Sequence, residues 1–151
     1  MKYITLLCLA ITSCATYKPA QKKEIQNKFE IAKSYDETWS SVVKFFASKN
    51  IPIKVIDKSS GLIATDPMMY DTIREKNYFE CDKFFSVGIE VPYPGKAIFN
   101  VFVEKTKTDA TLITVNLTPT YVVPANQFGT GGERPCFSTG QYEKELLEKV
   151  K

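Results

Sequence analysis

Two alternating runs in the second half of this chain constrain its fold more than any other feature. Ala97, Phe99, Val101 and Val103 alternate with Ile98, Asn100, Phe102 and Glu104. After Thr108-Asp109 the alternation resumes, with Thr111, Ile113, Val115 and Leu117 set against Thr114, Asn116 and Thr118. A period of two puts successive side chains on opposite faces of a strand, so each run carries one apolar and one mixed face. Joined by a polar turn, the runs predict a long antiparallel hairpin. A hairpin cannot bury its apolar face alone, so the rest of the chain must supply a cover.

Two segments have the pattern to supply it. Ser34 followed by Glu37 is a capping box, in which each side chain satisfies a backbone N–H at a helix start. Tyr35, Trp39, Val42, Val43 and Phe46 then recur at helical spacing with Phe45 beside them, and Asn50 and Pro52 end the helix. Trp39, large and with one N–H to satisfy, is expected at the centre of the packing. At the other end Tyr142, Leu146, Leu147 and Val150 form a second stripe. Ser138, Thr139 or Gly140 can cap it, and Glu143, Glu145 and Glu148 read as a solvated face.

Shorter strands fill the space between. Phe29 to Ile31 alternates, and Ile53 to Asp57 and Leu62 to Thr65 flank the turn Ser59-Ser60-Gly61. Residues 68–77 read as a loop or short helix, and Tyr78 to Cys81 and Phe84 to Val91 as strands, separated by Asp82-Lys83 or continuous through a bulge. Pro92-Tyr93-Pro94-Gly95 is a turn, with Tyr93 as an exposed-turn aromatic, either a partner contact or, more commonly for such a residue, turn packing. Residues 125–135, with three glycines, read as a loop, a fair recognition surface with Phe128 and Arg134 as its anchors. The order β, α, several antiparallel strands, α predicts an α+β domain of two layers, with both helices packed on one face of an antiparallel sheet.

The first residues bear on location. Met1-Lys2 precedes an apolar run from Tyr3 to Ile11, too short for the roughly 20 residues of a membrane-spanning helix but suited to a secretory signal. Ile11-Thr12-Ser13-Cys14 follows, and it resembles the lipobox of bacterial lipoproteins. That resemblance implies cleavage before Cys14 and acylation of its thiol, with residues 1–13 as signal peptide, 14–27 as a lipidated polar tether and 28–151 as one domain. Ala15 after the cysteine resembles the pattern of lipoproteins sorted to the outer membrane, facing the periplasm. Acyl chains would bind the membrane at about 0.8 kcal/mol per buried CH₂.

Export leaves Cys81 and Cys136 as ordinary cysteines. In an oxidising compartment they are expected to form one disulfide, the alternatives being free core thiols or a metal site that would need two more ligands. No redox CxxC is present, and the chain has no histidine. The usual general base and the commonest neutral metal ligand are therefore missing, while the acidic residues fall in turns, caps and helix faces. Neither an enzyme nor a cofactor is expected. With 20 Lys and Arg against 17 Asp and Glu, charge gives little ground for a nucleic-acid partner.

The run Ser34-Tyr-Asp-Glu-Thr-Trp39, the strand Ile53 to Asp57 and the turn Ser60-Gly61-Leu62-Ile63 resemble the BamC-like helix-grip domains of bacterial envelope lipoproteins. The resemblance covers about residues 29–151 and implies a helix-grip fold. BamC has two such domains behind a long N-terminal segment, whereas one domain and a short tether are read here, so the fold is implied and the assembly role is not. The expected function is that of a non-catalytic envelope lipoprotein, an accessory or scaffold subunit that binds an envelope protein. The alternative is a periplasmic ligand-binding or inhibitory lipoprotein.

Overall fold

The computed structural model describes residues 15–125 and 131–151. Its elements run β1 (Thr16–Lys18), β2 (Lys28–Ile31), α1 (Tyr35–Ser48), β3 (Ile53–Asp57), β4 (Leu62–Thr65), β5 (Met68–Asp71) and β6 (Phe79–Glu80). They continue with β7 (Lys83–Ser86), β8 (Ile89–Glu90), β9 (Pro94–Lys105), β10 (Thr111–Val123), β11 (Gly132–Pro135), β12 (Phe137–Ser138) and α2 (Gln141–Val150).

The β9–β10 hairpin is the spine, in register from Thr111 opposite Lys105 to Tyr121 opposite Gly95. Each long strand holds two short partners on its free edge. β10 pairs with β2 near its start and β11 near its end, while β9 pairs with β4 and, beyond Asp66-Pro67, with β5. With β3 on β4 this makes a seven-stranded antiparallel sheet. Ala97, Phe99, Val101, Val103, Ile113, Val115, Tyr121 and Val123 are buried along its inner face, as the alternation requires.

The expected two-layer helix-grip α+β arrangement, with two helices packed on a sheet, is not what the chain forms. Of the described residues 45 % lie in strands and 18 % in helices, and the strands divide among antiparallel sheets of seven, three and two strands. The physical reason lies between residues 72 and 93. Its strands are only two to four residues long, interrupted by Asp82 and by Val87-Gly88, so they cannot extend the main sheet. They pair with other short pieces instead: β7 with β1 and β8, and β6 with β12. Phe79, Phe84 and Tyr93 from this segment are buried in the core beside Trp39, Phe45 and Phe46 of α1 and Tyr142 and Leu146 of α2.

Helix α1 has the capping box in full, with Ser34 and Glu37 bonded reciprocally. Trp39, Val42, Phe45 and Phe46 are buried, and the Phe46 ring meets Phe99 edge-on at 5.8 Å. Helix α2 starts at Gly140 in a left-handed conformation without a side-chain cap. Glu143, expected in solvent, is buried and accepts a hydrogen bond from the Ser138 hydroxyl at 2.9 Å. Gly95 is required where it stands, because a Cβ there would lie 2.3 Å from the ring of Tyr70, its partner across the β5–β9 ladder.

Candidate functional site

The chemistry-bearing side chains gather at the end of the main sheet where β9 begins and β10 ends. Residues 15–20, expected to be a free tether, lie along this end, with Thr16, Tyr17 and Lys18 opposite Phe85, Phe84 and Lys83. Tyr17 packs on Phe84 at 5.1 Å, Phe84 meets Tyr93 edge-on at 5.4 Å, and Tyr93 packs on Tyr121 at 6.0 Å. A ladder of rings thus runs from the surface into the core, where such contacts add to area burial.

Asp82 ties the ladder to the N-terminal segment. Its Oδ2 accepts the Tyr121 hydroxyl proton at 2.7 Å, and its Oδ1 accepts the Ala20 N–H at 2.7 Å. Burial, and then the hydrogen bond to Asp82, hold the Tyr121 phenol far above its ordinary pKa. Partial burial and the Asp82 charge raise Tyr17 as well. The Arg134 charge opposes both shifts, since Arg134 sits on β11 opposite Tyr121. The result is a phenol–carboxylate–guanidinium cluster on rigid strands, suited to contact and orientation.

Of the expected contact residues, Arg134 is half-buried at this end and Tyr93 is interior, 2 % exposed. The exposed-turn role for Tyr93 is therefore withdrawn: its ring is turned inward against Phe84 and Tyr121. Phe128 and Cys14 lie outside the described residues. Gly132–Pro135, expected as loop, is strand β11.

Cys81 and Cys136 are joined, with Cα atoms 4.4 Å apart and both residues buried. The Tyr70 hydroxyl donates to Cys136 Sγ at 3.2 Å and to the Thr120 carbonyl at 2.9 Å. Burial pushes the Tyr70 phenol far above its ordinary value, which keeps it a neutral donor.

Asp82 and the β7–β8 hairpin were missed in the sequence. Asp82 read as a spacer between strands, and Phe84 to Val91 read as one strand. Gly88 alone was a partial signal, because Val87 stands where the Asn or Asp that marks such a two-residue hairpin turn would be. At the opposite end of the sheet an open groove of about 630 Å³ is lined by Tyr35, Asp36, Lys58, Ser60 and Lys105. An ion pair of 2.8 Å joins Lys58 to Asp36 there, and Lys105 lies over the Tyr35 ring at 5.3 Å. Among the described residues no group of three or more His, Cys, Asp or Glu side chains could hold a metal ion, and no helix is long and apolar enough to cross a membrane. In comparison with known proteins, no family model and no curated protein matches the chain.

Proposed function

We propose that this chain is a bacterial envelope lipoprotein, anchored through lipid on Cys14, whose domain is non-catalytic and binds an envelope protein as an accessory or scaffold subunit. The observation that carries this reading is the buried Cys81–Cys136 bond, together with the signal-like start of the sequence. Disulfides persist in the periplasm and are rare in the cytosol, so the bond supports export independently of the first fourteen residues. The outer membrane, on its periplasmic side, is the location favoured by Ala15. The binding role draws on the exposed face of the strands and on the Arg134 cluster, and not on helix-grip layering.

Metabolic labelling with an alkyne fatty acid tests the anchor. The wild type is expected to carry label and sediment with membranes, and Cys14→Ser to lose both. A wild-type intact mass without acyl groups would overturn the reading. A photo-crosslinking side chain at Arg134 tests the binding role in intact envelopes. One discrete protein adduct is expected, and its absence there and at Phe102 on the open sheet face would refute it.

A further inference from the structure

The β7–β8 hairpin ends in an apolar tip that the domain does not use. Val87 and Ile89 are 82 % and 72 % exposed, whereas Phe79, Phe84 and Tyr93 of the same segment are buried. The turn is also built against local preference. Val87 and Gly88 have φ of +52° and +79°, the two positive values of a type I′ turn. Asn-Gly suits that turn, whereas a β-branched residue at positive φ is an outlier that local structure does not favour. Strain of this kind at an exposed tip points to a role for the side chain outside the fold.

The adjoining strand shows what the tip meets. β1 is antiparallel to β7, so the chain traced backwards from Lys18 to Thr16 climbs β7 from Lys83 to Phe85. Ala15 and then Cys14 come next in sequence, and covalent geometry keeps Cys14 within about 7 Å of Thr16. The first strand therefore runs towards the tip as it is traced back to Thr16. The side chains along the hairpin change in character away from the tip. Val87 and Ile89 stand at the tip, the half-exposed Tyr17 is opposite Phe84, and the Lys18 and Lys83 pair is at the next rung. At about 3.4 Å per residue the Tyr17 rung lies about 10 Å along the strand from Val87 and the Lys18–Lys83 rung about 14 Å. Apolar tip and then amphipathic aromatic is the order in which a bilayer presents hydrocarbon and interface, with the partly exposed Glu90, opposite Phe85, between them and Lys83 paired with Glu80 at 3.5 Å.

We infer that the β7–β8 tip inserts into the lipid surface beside the anchor and fixes the domain's orientation on the membrane. A lipid chain alone tethers without orienting, and a second apolar contact set by β1 supplies the orientation. This rests on the reading that Cys14 is acylated.

The test uses the full lipidated protein in phosphatidylethanolamine–phosphatidylglycerol vesicles. With Cys14 acylated and Cys81 bonded to Cys136, Ile89→Cys provides the one free thiol for an environment-sensitive fluorophore. The expected result is a blue-shifted emission lost to lipids bearing spin labels, with a water-like, unquenched emission from Lys107→Cys beyond the far end of β9. Adding Val87→Asn should reduce the quenching at Ile89 while leaving the thermal midpoint equal or higher, because Asn suits the turn; a purely structural role for Val87 would lower it. Vesicles that float with bound protein while the Ile89 probe stays in water overturn the inference and leave the anchor standing. Protein that fails to float overturns the anchor reading and this inference with it.

Discussion

Removing the Cys81–Cys136 bond is expected to destabilise the domain chiefly through its unfolded state. The bond spans 55 residues of sequence. Chain-entropy reasoning for a closed loop of that size gives about 4 kcal/mol at 25 °C. The native-state part of the loss is small, because in Cys81→Ala/Cys136→Ala the Tyr70 hydroxyl keeps the Thr120 carbonyl as acceptor and no buried donor is orphaned. With a urea slope of about 2 kcal/mol per M, the unfolding midpoint should fall by about 2 M. The slope itself should rise, since an unfolded chain freed of its cross-link exposes more surface. Urea titration of the wild type and the double variant, followed by tryptophan fluorescence, measures both quantities. Alkylation of the unfolded wild type by a mass tag should add nothing at these positions before reduction and a tag on each cysteine after it. A midpoint displaced by less than about 0.5 M with an unchanged slope would refute the argument that the bond restrains a long loop.

Three further outcomes follow from individual side chains. Trp39, 7 % exposed and stacked on Tyr35, should cost about 3–5 kcal/mol when truncated to alanine; an unchanged denaturation midpoint would show that it packs nothing. The Thr38 hydroxyl is fully buried without a hydrogen-bond partner, so Thr38→Val should stabilise by about 1 kcal/mol, and a lowered melting temperature would show that the hydroxyl is satisfied. Hydrogen bonds from Ser59 and then Ser60 lower the Asp57 carboxyl to about 2. A depressed folded-state pKa contributes stability above the unfolded value and loses it as pH falls through the folded one. The stability difference between wild type and Asp57→Asn should therefore be full at neutral pH and vanish towards pH 2, and a carboxyl titration centred near its ordinary value would contradict this.

What was legible in the sequence depended on the length of each pattern. The β9–β10 hairpin and α1 declare themselves over a dozen residues each, and the buried residues fall on the faces that their periods mark. The Ser59-Ser60-Gly61 turn was equally plain, because Asp57 and Gly61 supply a specific turn chemistry. The segment between residues 72 and 93 was not. Strands of two to four residues are too short to display a period, and their pairing with β1 and β12 depends on residues far away in the chain. The layering failed there, since cover for the sheet was sought in helices alone. Tyr93 was misjudged for a related reason: flanking prolines mark a turn, but they do not say whether its aromatic points in or out.

The same short-stranded segment is held at several separate places, which bears on how its tip could act. At its base the Thr72 N–H bonds the Tyr93 carbonyl at 3.1 Å and the Thr72 hydroxyl accepts the Tyr93 N–H at 2.9 Å. Midway, the disulfide fixes Cys81 to Cys136, between β11 and β12 on the way into α2. Next to it Asp82 clamps Tyr121 of the main sheet and Ala20 of the N-terminal segment. A long connection with little regular structure of its own would ordinarily fray, because it has few ladder hydrogen bonds to lose. Here the covalent bond, the buried rings and the carboxylate hold it where a period-two pattern does not. The β7–β8 hairpin is therefore carried on a rigid base, with β1 paired along β7. A contact made at Val87 and Ile89 would set the attitude of the whole sheet, because the joint between tip and core is braced on both sides.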